Sequence, residues 1–163
     1  MHVNQPHESA RWAERIERLW HDAIPLAAAM GARIGRLDGD ALVAVAPLAA
    51  NVNHMGMAFG GGLQALATLA GWAVTLVSAG ESAACRVVVR DARMRFLAPV
   101  RGDLEARAAW PVEDEAAAFR ARLAERGRAR LTVRVRYGPA RDPQAEFEGE
   151  FVAFLAERSD TDQ

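Results

Sequence analysis

The sequence contains one cysteine, Cys85, among its 163 residues. A single cysteine excludes a disulfide within the chain and any metal site built from several thiolates. We therefore expect the chain to suit a reducing compartment, the cytoplasm, where structural disulfides are rare. Cys85 itself is expected to be a small, partly buried strand residue rather than a nucleophile.

The chain also lacks a basic surplus, since its formal net charge is -1 and its pI is about 6.4. Proteins that bind nucleic acid usually carry an excess of positive charge, so we expect no nucleic-acid partner. No metal and no cofactor is predicted, because no metal-ligand spacing relates the four histidines, His2, His7, His21 and His54. The length fits one domain with a real core.

No charged residue occurs between Asp40 and Glu81. The helical part of this stretch, residues 59–79, is long enough to span a bilayer. However, glycine, glutamine, threonine and serine dilute its hydrophobicity, and no cluster of basic residues flanks it. A helix that is apolar on all sides is typical of the buried centre of a globular protein. We therefore predict a central helix and no membrane partner.

Local patterns predict one domain at residues 9–156, with disordered tails at 1–8 and 157–163. Ser9 is placed to cap a first helix with Trp12, Ile16, Leu19 and Trp20 on one face. A second short helix begins at Pro25 and ends near Gly31. Two strands, residues 32–37 and 41–46, flank a hairpin turn. The loop at residues 51–58 then leads into the central helix.

The second half alternates apolar and polar residues with period two, as strands do. Strands are predicted at 86–98, 103–110, 128–137 and 146–155, with a helix at 113–126 closed by Gly127. In the first of them, one face is predicted to carry Val88, Ala92, Met94 and Phe96. The last two strands carry arginines and glutamates respectively, which predicts an antiparallel pair with charge pairing across it.

A helix without a charged face must be covered on nearly every side. A curved antiparallel sheet, with strands before and after the helix in sequence, would cover it. We therefore predict an α+β fold in which a long central helix is wrapped by such a sheet, preceded by short N-terminal helices. Exposed sheet edges would be protected if two copies paired edge to edge in a dimer.

The start of the central helix has an unusual composition. Gly60, Gly61 and Gly62 are costly at a helix start, and something should compensate for them. One interpretation is that their free amide N–H groups hold an anionic or carbonyl oxygen, beside the polar residues Asn51, Asn53 and His54. The other is a tight loop with close contact between helix and sheet. The sequence favours neither.

A second feature of this helix is a stripe of small and polar residues at helical spacing. The stripe consists of Gln64, Thr68, Gly71, Thr75 and Ser78. It would line a substrate channel, with Gln64 and Thr68 nearest the reactive end, or it would pack closely against a second copy of the chain. Both functions are compatible if the channel lies at a dimer interface.

These residues carry a family resemblance. The run Asn53-His54-Met55-Gly56-Met57-Ala58-Phe59-Gly60-Gly61-Gly62, followed by residues 66–72, resembles the hotdog-fold thioesterases. Within them it is most similar to a family also found as a C-terminal domain behind some bacterial N-acetyltransferases. The strand that ends Arg95-Phe96-Leu97-Ala98-Pro99, and the segment Ile24-Pro25-Leu26, resemble other parts of the same family. The resemblance extends from about residue 24 to residue 155.

The resemblance implies the hotdog fold, a homodimer or a dimer of dimers, and an acyl-CoA or acyl-carrier-protein thioester as partner. It places the thioester carbonyl near the amides of Gly60 and Gly61, with Asn53 orienting the carbonyl or a water. It makes phosphate contacts of Arg93, Arg95 and Arg101, although these arginines would equally be solvated charges. The predicted substrate-binding residues are Asn51, Phe59, Gly62, Gln64, Arg93, Arg95 and Arg101.

The sequence departs from the family pattern at two positions. Thr68 stands where many hotdog thioesterases carry an Asp or Glu, and Phe59 stands where several carry a His. Since threonine is a poor general base, His54 is the nearest titratable candidate, although a loop histidine is commonly a surface residue. We predict thioester hydrolysis by water. The alternatives are a non-catalytic acyl-thioester binding module and an enoyl-thioester hydratase or dehydratase.

Overall fold

The structure is a computed structural model that describes residues 6–80 and 85–155. Six antiparallel strands form one sheet in the order β1-β2-β4-β5-β6-β3. The elements are α1 (Pro6–Ala23), α2 (Pro25–Ala29), β1 (Arg33–Leu37), β2 (Ala41–Ala46), a 3-10 turn (Leu48–Ala50), α3 (Gly60–Ala79), β3 (Cys85–Phe96), β4 (Leu104–Ala109), α4 (Glu113–Arg126), β5 (Arg128–Tyr137) and β6 (Ala145–Leu155).

The long helix α3 is the centre of the fold, as the sequence predicts. It contacts five of the six strands, β2 to β6, so the sheet wraps around it. Its apolar residues are buried, including Leu66 and Val74 at 0% exposure. Although α3 is long and apolar enough to cross a membrane, 67% of its most hydrophobic window is buried inside the protein. The position of α3 in the core therefore explains why this helix contains no charged residue.

Two contacts fix the distance between α3 and the sheet. The hydroxyl of Tyr137 on β5 donates a 2.5 Å hydrogen bond to the carbonyl oxygen of Leu63, inside the core. A Cβ at Gly71 would lie 2.4 Å from the ring of Phe151 on β6. Gly71 therefore allows helix and sheet to approach more closely than any side chain would permit.

Most predicted element boundaries agree with the structure to within one or two residues, and those of β2, α4 and β5 agree at both ends. The first helix is different, since α1 begins at Pro6 rather than after Ser9. Leu19, predicted on the apolar face, is 38% exposed, whereas Trp12, Ile16 and Trp20 are buried. The tails predicted to be disordered lie largely outside the described residues.

The predicted faces of β3 are correct only in its second half. A β-bulge between Val89 and Asp91 shifts the register against β6. Before the bulge Val87 points inward and is 8% exposed, whereas Val88 is 48% exposed. The prediction that Val88 shares a face with Met94 is therefore wrong, because an extra residue at a bulge reverses the alternation. Beyond the bulge, Met94 lies opposite the buried Phe147 as expected.

The outer face of the sheet, turned away from α3, carries the predicted charge pairing. Arg134 on β5 lies opposite Glu148 on β6, with its Nε 2.8 Å from Oε2 of that glutamate. Arg95 on β3 makes the equivalent contact with Glu146 at 3.1 Å. The arginine and glutamate faces of β5 and β6 thus form a ladder of exposed ion pairs, called the charge ladder below.

Candidate active site

The loop before α3 is held by two asparagines. Asn51 is 7% exposed, and its side-chain nitrogen donates to the carbonyl oxygens of Met30 and Pro47, both at 2.9 Å. Asn53 uses its side-chain oxygen to accept the backbone N–H groups of Met55 at 2.9 Å and Met57 at 3.2 Å. Both side chains therefore stabilise the loop, and the Asn53 oxygen is engaged there.

The loop leads directly into the start of α3, which is uncapped. Phe59 precedes α3, and no side chain of the described residues caps the helix. The first helical bond runs from the amide of Leu63 to the carbonyl of Phe59 at 3.0 Å. The amides of Gly60, Gly61 and Gly62 come before it and have no acceptor within the helix. This end of α3 attracts negative charge, because the helix dipole and the free amides act together.

Each of the three glycines also has a close neighbour. A Cβ at Gly60 would lie 3.2 Å from the ring of Phe96, and one at Gly61 would lie 2.4 Å from the ring of Phe59. A Cβ at Gly62 would lie 3.2 Å from the side-chain oxygen of Asn51. All three glycines are thus closely packed, Gly60 against the end of β3 and the other two against the loop, while their amides have no acceptor within the helix.

A pocket of about 610 Å³ begins at this helix start and follows one side of α3. Helix α3 forms one wall, α2 the second and the first half of β3 the third. Among the described residues, the lining is mostly apolar and includes no acidic or basic side chain. The residues are Ile24, Leu26, Ala27, Gly61, Gln64, Ala65, Thr68, Leu69, Trp72, Val87, Val88 and Val89.

Gln64 and Thr68 are the polar side chains of this lining. The Thr68 hydroxyl donates a 2.8 Å hydrogen bond to the carbonyl oxygen of Gln64, one turn earlier in the helix. With its proton engaged, this hydroxyl presents only lone pairs to the pocket and acts there as an acceptor. Gln64 is exposed, and its amide offers both a donor and an acceptor. Together they suit a bound water or carbonyl.

The predicted polar stripe of α3 does not continue along the pocket. Gly71 packs against Phe151, and Thr75 is 0% exposed, with its hydroxyl bonded to the carbonyl oxygen of Gly71 at 2.8 Å. The stripe therefore lines a pocket in its first half and contacts the sheet in its second. The sheet crosses the helix at that point, which helical periodicity alone does not reveal.

The other predicted site residues lie at different distances from the pocket. His54 is exposed on the loop and is not part of the pocket lining. Phe59 is 57% exposed, with its ring against Gly61. Arg101 follows Val100, whose carbonyl oxygen accepts the amide of Ala58 at 2.9 Å, so it lies beside the loop.

Arg93 and Arg95 are separated from the pocket by the sheet. They lie on its outer face, where they line a shallow depression of about 500 Å³ together with charge-ladder residues. This position does not bring them together with Gln64 and Thr68. Alternation along a strand places neighbouring residues on opposite faces, and the bulge in β3 decides which face each one takes.

Sequence reasoning did not identify Trp72 or the wall supplied by α2 and β3. Trp72 donates from Nε1 to the carbonyl oxygen of Val87 at 3.1 Å, and Leu26 is 61% exposed. A partly buried tryptophan at helical spacing from Gln64 and Thr68 was the available signal. The pocket wall formed by β3 depends on tertiary packing, which the sequence pattern does not predict.

Two titratable groups are held in their neutral forms. Burial raises the pKa of the Cys85 thiol, so this cysteine is a poor nucleophile at neutral pH. Burial also raises the pKa of the Tyr137 hydroxyl, which fits its role as a donor to α3. Among the residues that the structure describes, no group of three or more His, Cys, Asp or Glu is arranged to hold a metal ion.

A central helix wrapped by a six-stranded antiparallel sheet is the hotdog fold, and solved structures of this fold match the chain. A protein of unknown function from Chlorobaculum tepidum is 29% identical, with a TM-score of 0.86 over 91% of this chain and 97% of that one. "The putative thioesterase from Shewanella oneidensis" is 26% identical, with a TM-score of 0.78 over 89% and 99%. A thioesterase from Haemophilus influenzae, at 19% identity and a TM-score of 0.67 over 91% and 94%, shares the fold.

The chain belongs to the family described as "Putative thioesterase (yiiD_Cterm)", whose model matches residues 13–155. The predicted fold and the predicted family are both confirmed. Family and fold together place the chain among thioester hydrolases, at the level of the class of reaction.

Proposed function

We propose that this chain hydrolyses an acyl thioester, carried by coenzyme A or an acyl-carrier protein, with water as the nucleophile. The observation that supports this most directly is the coincidence of the open α3 start with the mouth of an apolar pocket. Free amides at one end and an alkyl-sized groove beyond it match the two halves of an acyl thioester. The thioester carbonyl would lie at the amides of Gly60 and Gly61.

The chemistry assigned to this arrangement is stabilisation of the tetrahedral intermediate. As water attacks, the carbonyl oxygen gains negative charge, and the free amides and the helix dipole stabilise it. Thr68 accepts a hydrogen bond from the attacking water, and the Gln64 amide fixes that water or the carbonyl. Asn53 acts through the loop, since its side-chain oxygen is engaged with Met55 and Met57.

The proton of the attacking water requires a base, because Thr68 donates its own proton to Gln64. His54 is the titratable side chain of the loop beside α3, and we keep it as the proposed base. It does not line the pocket of its own chain. A dimer would allow the loop of one protomer to reach the pocket of its partner.

The exposed edge of the sheet supports a homodimer. Within the described residues, strand β3 is an edge strand with a partner on one side only, β6. It and the residue that follows it expose several apolar side chains, including Val88 at 48%, Phe96 at 56% and Leu97 at 46%. A long unpaired edge strand with exposed apolar side chains is prone to pair with a second strand, so we propose that two copies join through β3. Sedimentation equilibrium would test this, with Val88→Lys expected to yield monomers.

The experiment for the proposed function measures thiol release from a series of acyl-CoA and acyl-carrier-protein thioesters. We expect wild-type turnover, a loss of about 100-fold in kcat for Gln64→Leu combined with Thr68→Val, and a loss of about 100-fold in kcat for His54→Gln, which removes the proposed base. Thr132→Val is the matched control, because Thr132 is exposed on β5 opposite Glu150, away from the pocket lining. Absence of thiol release with every substrate would overturn the proposal.

The rival function is acyl-thioester binding without turnover. The observation that favours it is that the described pocket lining contains no acidic or basic side chain. Calorimetry with the same substrates separates the two, because a binding module would retain acyl-CoA unchanged. A hydratase would instead add water to an enoyl-CoA, detected as a loss of the enoyl absorbance.

A further inference from the structure

The lining of the pocket beside α3 runs from the start of the helix to Trp72. Gly61 and Gln64, at the start of the helix, are exposed. At the other end, the Trp72 indole extends from α3 to β3, where its Nε1 donates to the carbonyl oxygen of Val87 at 3.1 Å. Both residues line the pocket. The indole therefore joins the two walls at this end.

Helix and sheet also come into direct contact at the same level. Gly71 is buried and precedes Trp72, and its missing side chain is replaced by the ring of Phe151, which would lie 2.4 Å from a Cβ there. Phe151 is 0% exposed. No room for a ligand remains between α3 and the sheet at this position, so the groove cannot continue under the helix.

The side walls between these ends suit a hydrocarbon chain. Leu26 and Val89 are 61% and 43% exposed although they are apolar, so they would gain from contact with another apolar surface. Past Thr68 the α3 wall consists of Leu69 and Trp72, and the polar side-chain atom there, the indole N–H, is bonded to Val87. A polar or charged acyl group would find no side-chain partner on this wall.

We propose that Trp72 is the residue that sets the maximum length of the acyl chain, and that the substrates are medium-chain, straight acyl thioesters. This inference rests on the proposed function, because it takes the thioester carbonyl to lie at the helix start. It goes beyond that function by naming the acyl class and the residue that selects it.

The spacing of residues along α3 gives the maximum length of the acyl chain. Gly61 and Trp72 are separated by about three helical turns, or roughly 16 Å. Side chains on a helix lean toward its N-terminus, which shortens the free distance by about one turn. An extended chain advances about 1.2 Å per bond, so the space accommodates roughly eight to ten carbons. Longer chains would meet the indole.

The test compares acyl-CoA substrates from C4 to C16. For the wild type, we expect kcat/KM to rise about fourfold per methylene up to roughly C10, and to fall by at least tenfold at C14. Trp72→Ala should move the optimum to C14, with kcat/KM for C14 relative to C10 raised by more than about tenfold. Trp72→Leu, which cannot reach Val87, should produce the same shift if the alanine variant fails to fold.

The matched control is Trp110→Ala. Trp110 is also partly buried and donates from its indole to a backbone carbonyl, that of Asp38 at 2.7 Å, but it lies outside the pocket lining. It should retain the wild-type chain-length profile. A wild type that hydrolyses C16 as well as C8, or an unchanged profile in both Trp72 variants, would overturn the proposal.

The inference and the proposed function can fail separately. Non-hydrolysable acyl-CoA thioethers of C6 to C16 can be titrated calorimetrically without any turnover. If no thioester is hydrolysed but affinity peaks near C10 and shifts to longer chains in Trp72→Ala, the hydrolase proposal fails and the role of Trp72 stands. If hydrolysis occurs without dependence on chain length, the reverse holds.

Discussion

The two faces of the sheet meet opposite physical requirements. The inner face holds α3, a helix without a charged residue, against apolar side chains that are almost completely buried. The outer face carries the charge ladder, in which exposed arginines and glutamates pair across strands. The contribution of the inner face to stability depends on how its apolar atoms fit together, since they are closely packed. The contribution of the outer face depends on ion pairs, and it is small because exposed charges are screened.

The difference also separates the residues that could act on a substrate. Over the described residues, the pocket beside α3 contains amides, an amide side chain and one hydroxyl, with no charged group in its lining. The outer depression contains five arginines and three carboxylates, yet two of its arginines are already paired with glutamates. A high density of charge is therefore not what identifies the proposed active site; an open helix end beside apolar walls is.

The strongest test of the inner face is Gly71→Leu. Because a Cβ would already lie 2.4 Å from the buried Phe151 ring, we expect a loss of about 3 kcal/mol in the free energy of unfolding. Urea denaturation measures it. Gly102→Leu is the control, since no described residue other than its two chain neighbours lies within 4 Å of a Cβ there. Phe151→Ala in the same chain should recover part of the loss, and equal losses at Gly71 and Gly102 would contradict the packing argument.

Gly61→Ala separates activity from stability at the open helix start. The added Cβ would lie 2.4 Å from the ring of Phe59, which is 57% exposed and free to move. We expect the displaced ring to block the carbonyl site and lower kcat/KM about 30-fold, or roughly 2 kcal/mol. Stability should be unchanged or slightly higher, because alanine favours a helix.

The control for this substitution is a second change at Phe59. The double variant Gly61→Ala, Phe59→Ala removes the ring and should recover most of the activity. If the single variant keeps full activity, the ring of Phe59 does not lie close enough to the carbonyl site to block it. If it unfolds, the glycine is required for packing alone.

The fold could be predicted from the sequence because its main signals are local. The uncharged stretch between Asp40 and Glu81 predicts the central helix, and period-two alternation predicts the strands around it. The arginine face of β5 and the glutamate face of β6 predict their pairing. Each of these signals lies within one element, or two elements adjacent in sequence, so no knowledge of tertiary packing is needed.

The site could be predicted only in part, because its walls come from distant segments. The glycine run located the helix start, and periodicity selected Gln64 and Thr68. The bulge after Val89, however, reverses the alternation of β3, so the predicted face of Val88 was wrong. The end of the pocket depends on contacts of Gly71 and Trp72 with β6 and β3, which no local pattern encodes.

Arginine substitutions test whether the outer face takes part in substrate binding. Arg101 lies beside the α3 loop, whereas Arg93 and Arg95 lie across the sheet from the pocket. We expect Arg101→Ala to raise KM for acyl-CoA about fivefold, since one partly screened charge contact contributes about 1 kcal/mol. Arg93→Ala and Arg95→Ala should leave KM within about twofold. A larger rise for Arg93→Ala or Arg95→Ala would connect the outer face to the substrate.

The smallest expected effect concerns the pH dependence of the charge ladder. The hydrogen bond from Arg90 lowers the pKa of Glu150 from its ordinary value of 4.5. A carboxyl whose pKa is lower in the folded state stabilises the fold above its unfolded pKa and loses that contribution as the pH falls through its folded pKa. Glu150→Gln should therefore lower Tm slightly at about pH 7 and not at about pH 3.

This difference in Tm should also shrink in about 1 M salt, because the side chains of Arg90 and Glu150 are 52% and 29% exposed and salt screens their attraction. Glu105→Gln provides the control: Glu105 lies on the same outer face, and within residues 6–80 and 85–155 it makes no ion pair shorter than 4 Å. It should leave the pH dependence of Tm as in the wild type. A loss of several degrees for Glu150→Gln would mean that the outer face contributes to stability as strongly as the core does, and the contrast between the two faces would no longer hold.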